Sequence, residues 1–162
     1  GTYDKIKSVV DGLIVVSGNY PDFLSVSDEK PKRGPVEGIW SCIQKMDFNT
    51  AVLVVPVDMP FLTVKSLSEL MEQFQDQIEG QSPARMFLQF ESFELPFVFI
   101  YNETTKQLLS EVRRWEDSSL RSIRYFKKQL SEDSTFNSNL PVLDDENFRN
   151  INTPQDWEEV CQ

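Results

Sequence analysis

The chain has 162 residues, of which 26 are acidic and 16 basic, and its net charge of −10 speaks against non-specific binding to nucleic acid or membranes, both polyanions. Its length, with 40% hydrophobic and 12% aromatic content, fits one folded domain with its own core. Histidine is absent, which excludes Ser-His-Asp and Cys-His catalysis within the chain, and no apolar run reaches the roughly 18 residues of a membrane span.

In chain order, Ile6, Val9 and Val10 share one helical face and predict the last turns of a helix. Asp11-Gly12 ends it, and Leu13-Ile14-Val15-Val16 follows as a short apolar strand, punctuated by Ser17-Gly18-Asn19. A polar loop from Tyr20 to Arg33 leads to Gly34-Pro35. Pro35 suits the first position of a helix, where its missing N–H costs nothing. Val36, Ile39, Trp40, Ile43 and Met46 then form one apolar stripe.

Ala51 to Val57 is the most apolar stretch and predicts a central parallel strand with Pro56 near its end. Thr63 is placed to cap a helix carrying Val64, Leu67, Leu70, Met71 and Phe74. Met86–Phe90 and Phe97–Tyr101 read as strands, and residues 104–114 and 119–130 as helices. The polar segment Ser131–Asn139 reads as a loop. Near the end, Thr153-Pro154-Gln155-Asp156 carries the signature of a helix start. Alternating strands and helices predict a single α/β domain with helices on both faces of a mostly parallel sheet. The two cysteines, Cys42 and Cys161, form no disulfide scaffold or metal motif and fit reduced thiols in a cytoplasmic protein.

In parallel sheets ligands bind beyond the carboxyl ends of the strands, where Asn19 and Asp58 fall. A carboxylate directly after a valine-rich strand can hold Mg²⁺, which takes one or two carboxylates and fills its other positions with water and phosphate. It can equally cap local backbone donors. The segment Gly34-Pro35-Val36-Glu37-Gly38 offers a helix N-terminus to an anion or a polar base edge, or is a well-formed helix start beside Lys30, Lys32 and Arg33. Asn150 and Asn152 share a face if extended and either read a ligand or brace a loop. Arg121, Arg124, Lys127 and Lys128 are a candidate phosphate-facing helix or a solvated face.

Taken together, Gly34–Ile39, Pro56-Val57-Asp58-Met59-Pro60-Phe61 and Phe148–Asp156 with its Asn-Ile-Asn-Thr-Pro core resemble the segments of molybdenum cofactor guanylyltransferases, in the same order. Ser17-Gly18-Asn19, Asp28, Leu95-Pro96-Phe97 and Leu120-Arg121-Ser122-Ile123 fall where that family has related residues, so the resemblance runs from Leu13 to Trp157. It implies a three-layer α/β/α Rossmann-like glycosyltransferase-A fold, the nucleotide-diphospho-sugar transferase architecture. The implied reaction is transfer of GMP from Mg-GTP to molybdenum cofactor (molybdopterin), with release of pyrophosphate. On this resemblance Asp58 would hold Mg²⁺ as the catalytic and metal-binding residue. Asn19, Asp28, Gly34, Pro35 and Gly38 would join it at the nucleotide, and Asn150, Asn152 and Arg121 would face the acceptor. The implied partners are GTP, the molybdenum cofactor, and a molybdoenzyme or chaperone that receives the product.

Two departures from the family pattern stand out. Glu37 replaces a small residue and adds negative charge beside the expected nucleotide. The family's opening strand and Gly-rich triphosphate loop have no counterpart in residues 1–162. Loss of a central strand would leave two apolar edges open, so the expectation is that sequence upstream of Gly1 supplies both. A cytidylyl- or sugar-phosphate nucleotidyltransferase and a non-catalytic partner-binding relative are the competing readings of the same pattern.

Overall fold

The computed structural model describes residues 2–18, 20–28, 33–56, 59, 62–79, 85–91, 93–131 and 139–140. Helix α1 (Thr2–Lys7) precedes a small sheet of β1 (Val16–Ser17) and β2 (Ser25–Val26). Then come α2 (Pro35–Ile43), β3 (Thr50–Val54), α3 (Val64–Ile78), β4 (Phe87–Phe90), β5 (Phe97–Tyr101), α4 (Glu103–Arg113), α5 (Ile123–Ser131) and β6 (Asn139–Leu140).

The larger sheet has the order β3-β5-β4-β6. Strand β5 is antiparallel to both neighbours, with Val52 opposite Phe99 and Leu88 opposite Val98. Strands β4 and β6 are parallel, as are β1 and β2. It follows that β3, β4 and β6 all point one way and only β5 is reversed. Three of the four strands share one direction, but two of the three hydrogen-bonded pairings are antiparallel, and β3, expected as a central parallel strand, stands at the edge of this sheet among the described residues and pairs antiparallel with β5. The reversal has a simple cause. Six residues separate β4 from β5, too few for the crossover that a parallel neighbour requires.

The side-chain alternation of a strand divides the core in two. Val52, Phe87, Phe97, Phe99 and Tyr101 face α2, α4 and α5. Leu88, Phe90, Val98 and Ile100 face α3, with Ile6 and Val9 packed on the same side. Helices thus cover both faces of the sheet. All five residues of β5 are buried, as befits a strand paired on both edges and covered on both faces.

The helix ends follow local chemistry. Thr63 Oγ1 accepts the Ser66 N–H at 3.1 Å, so Val64, counted in the apolar stripe from its spacing, lies at the first helical position and is exposed. Asn102 and Thr105 exchange side-chain and backbone bonds of 2.9 Å in a capping box at the start of α4. Helix α5 begins four residues later than the sequence predicts. Asp117 takes both the N–H and the hydroxyl of Ser119, at 2.9 and 2.7 Å, and holds that stretch in a turn. Ser122 is the actual cap, accepting the Tyr125 N–H at 3.1 Å. Strand β2 was read as loop, because two residues carry no periodicity. The expected C-terminal helix at 153 and beyond lies outside the described residues.

Lys127 on α5 is buried, although its spacing placed it with the basic face. Its ammonium donates to the Glu94 carbonyl and sits 4.6 Å from the centre of the Phe97 ring. Burial pulls its pKa from 10.5 to about 8, with the Glu94 charge opposing the shift. Between those values the unfolded chain holds a proton that the folded chain has released, so the contribution of this group to stability rises with pH. Cys42 acts in the other direction. Burial, and secondarily Asp28, push its thiol from 9.0 to about 11, so the stability linked to it is lost as pH rises through that range. Comparison with Lys127→Met isolates the lysine. Urea denaturation should show wild type gaining about 2–3 kcal/mol relative to Lys127→Met between pH 7 and pH 10. A difference that stays constant with pH would contradict the burial penalty.

Candidate functional site

Helix α2 packs against both sheets, and the space above it is a cleft of about 440 Å³. One wall is Val15 and Ser17 of the β1 segment; the other is Val52 to Pro56 of β3 and its extension. Asp28, Gly34, Pro35 and Gly38 line the same cleft. Four residues read from the sequence as nucleotide-binding, drawn from the end of β2 and the start of α2, therefore share one surface. The volume lies within the about 300–1,000 Å³ typical of small-molecule sites, and an apolar lining with few polar groups is also typical.

The polar groups are tightly arranged. Ser17 Oγ donates to Asp28 Oδ1 at 3.1 Å. Gly38 lies under this pair: a Cβ built there would stand 2.8 Å from Ser17 Oγ and 3.3 Å from Ser17 Cβ. Absence of a side chain at Gly38 thus lets α2 approach β1. Gly34, at φ +89°, occupies backbone space that L residues avoid, and Pro35 takes the first helical position. Among the described residues no side chain caps this helix start, and Gly34, Pro35 and Gly38 bring its dipole end to the cleft wall.

Cys42 also lines the cleft. Its thiol lies 3.9 Å from the Val15 carbonyl, to which it donates. With its pKa raised to about 11, the group stays protonated at neutral pH and is no nucleophile. Sequence reasoning missed Cys42, Ile39, Leu95 and Ile123 as cleft residues. Ile39 and Ile123 look like ordinary core positions, and only their location distinguishes them.

Glu37 does not face the cleft as a free charge. It is 1% exposed, and Arg113 grips it with Nε to Oε2 at 3.0 Å and Nη2 to Oε1 at 2.5 Å. The Trp40 ring stacks 4.8 Å from the Arg113 guanidinium. Arg33 turns the same way, donating to the carbonyls of Arg113 and Trp115 at 3.0 Å each. Arg121, expected at the acceptor, donates to the carbonyls of Trp115 and Glu116 at 2.9 and 3.0 Å and is not among the residues lining the cleft. Arg33 and Arg121 share the Trp115 carbonyl, which brings Arg121 to the same corner as the Gly34 turn.

Asn19, Asp58, Asn150 and Asn152 lie outside the described residues. Pro56 lines the cleft, and Met59 is buried against α3. Among the described residues no group of three or more potential ligands for a metal occurs. The one carboxylate lining the cleft there is Asp28, a donor set compatible with a cation that draws most of its ligands from water and phosphate.

The Gly38 contact is open to a direct test. In isolation Gly38→Ala should gain about 1 kcal/mol of helix propensity. Here the new methyl displaces Ser17 Oγ from Asp28, at a cost of about 0.5–1.5 kcal/mol. A double-mutant cycle with Ser17→Ala, followed by urea denaturation, should give a coupling of about 1 kcal/mol, with Gly38→Ala more favourable in the Ser17→Ala background. Strict additivity would mean that the two residues do not meet.

Comparison with known proteins places the chain in a family. A family profile described as the MobA-like NTP transferase domain matches residues 2–132. A molybdenum cofactor guanylyltransferase from Xanthomonas euvesicatoria pv. vesicatoria is 29% identical over 144 residues, covering 89% of this chain and 69% of its own length. A protein from Clostridium perfringens strain SM101, named "Probable molybdenum cofactor guanylyltransferase", is 27% identical over 156 residues, covering 93% of this chain and 75% of its own. No helix among the described residues is long and apolar enough to cross a membrane. The chain belongs to the MobA-like NTP transferase family and is an enzyme of that kind.

Proposed function

We propose that the protein is a cytoplasmic molybdenum cofactor guanylyltransferase, moving GMP from Mg-GTP to the terminal phosphate of molybdopterin and releasing pyrophosphate. The proposed scaffold is the three-layer Rossmann-like glycosyltransferase-A fold. One observation carries the reading: Asp28, Gly34, Pro35 and Gly38, separated in sequence, line a single cleft at the start of α2. The names of the relatives point to the same chemistry.

In this reading Gly34 to Gly38 frame the base and Asp28, oriented by Ser17, contacts the nucleoside beside Asn19. An oxygen of the acceptor phosphate bonds to the α-phosphorus while the bond from that phosphorus to the bridging oxygen of pyrophosphate breaks. Such a step needs alignment and charge neutralisation and no covalent intermediate. Asp58 is the residue assigned to Mg²⁺, which supplies charge neutralisation on the phosphates. Asn150, Asn152 and Arg121 are assigned to the acceptor side, with Arg121 acting through the turn at Trp115 that it braces.

Isothermal titration of the full-length protein with GTP, CTP and ATP, each with Mg²⁺, tests the proposal. Selective GTP binding is expected, weakened roughly tenfold or more in Asp58→Ala, equivalent to about 1.4 kcal/mol. Preference for CTP would replace guanylyl with cytidylyl transfer. Binding of none of the three by the folded protein would reject nucleotide transfer.

A further inference from the structure

We propose that Arg113 is a positioning residue that holds the Gly34–Gly38 turn at both ends through Glu37 and Arg33. The proposal rests on the nucleotide reading above for its functional half, and on contacts alone for its structural half.

The contacts converge on one residue. The Arg113 guanidinium takes Glu37 in a two-bond fork, while its backbone carbonyl, with that of Trp115, receives Arg33. Residues 33 and 37 bracket Gly34, with its unusual backbone geometry, and the first residues of α2. Both ends of the turn are therefore referred to the last turn of α4. Helix polarity favours the arrangement, because Glu37 sits in the first turn of α2 and Arg113 in the last turn of α4. Trp40, one turn beyond Glu37, lays its ring on the guanidinium and restricts its approach to a single direction.

Stability alone does not account for this choice of residues. A buried ion pair is roughly break-even against apolar side chains of similar volume, since desolvation offsets the attraction. What apolar contact lacks is direction. A planar fork sets the distance and angle between two helices, whereas methyl groups slide past one another. The pair also neutralises Glu37 in the first turn of a helix whose dipole end is expected to meet an anionic ligand. Arg33, with Nη2 committed to α4 carbonyls, is likewise part of the frame.

The deciding experiment compares wild type with Glu37→Leu/Arg113→Met, which removes both charges and keeps an apolar contact. Thermal unfolding, amide hydrogen exchange of residues 34–38 and titration with Mg-GTP are recorded on each. The expected result is a melting temperature within a few degrees of wild type, exchange of the turn accelerated about tenfold with β5 unchanged, and Mg-GTP affinity lowered about tenfold. Arg33→Met, which cuts the other tether and leaves the ion pair in place, should give a smaller change of the same kind. Unaltered exchange in both variants would overturn the clamp, whatever the nucleotide does. Faster exchange with unaltered affinity would overturn its positioning role. Faster exchange in a protein whose wild type binds no nucleotide would uphold the clamp and reject the nucleotide reading instead.

Discussion

Helix α2 is the element on which the arrangement of this molecule depends. The two-stranded sheet of β1 and β2 packs on it, and so does the larger sheet through Val36, Ile39 and Ile43. Such a double contact requires the helix to approach β1 closely on one side while burying large side chains on the other. Gly38 meets the first requirement by having no side chain, and the apolar stripe meets the second. The cleft lies between the two sheets and is floored by α2.

Electrostatics in this strongly acidic chain are managed locally. The carboxylate buried on α2 is matched by a guanidinium from α4, and the buried ammonium of Lys127 finds a carbonyl and an aromatic face. Arginines dominate the corner where α4 ends, and they bind main-chain oxygens there. The Arg113 carbonyl lies at the negative end of α4, and those of Trp115 and Glu116 follow just beyond its C-cap. A surplus of negative charge over the whole chain is thus consistent with a concentration of positive charge near the Gly34 turn.

Much of this was legible in the sequence, for reasons specific to each part. The strands at Thr50–Val54 and Phe97–Tyr101 and the helix from Val64 announce themselves by apolar runs or stripes, because burial on defined faces writes a period into the chain. Gly34, Pro35, Gly38 and Asp28 were legible as a group only through their likeness to a family, since no local rule joins residue 28 to residue 38. Long-range pairings were not legible. Glu37 and Arg113 lie 76 residues apart, and a lone acid on a helix looks the same whether it meets water or an arginine. The late start of α5 was missed because two serines compete for one cap and the turn at Asp117 decides between them. Charge groups Lys127 with Arg121, Arg124 and Lys128, although Phe126 and Leu130 beside it already mark that side of the helix as core.

The two-residue ladder between β1 and β2 has a further consequence. Cooperativity within a protein is uneven, and parts held by few bonds separate at lower free energy than the whole. Here the cleft has one wall of each sort: a short parallel ladder with exposed Tyr20, Phe23 and Leu24 near it, and a strand whose neighbour β5 is buried along its full length. Opening the first wall breaks a handful of hydrogen bonds and leaves the main core intact. The two walls of the cleft are therefore held unequally, and the amides of β1 and β2 are expected to exchange with solvent before those of β5.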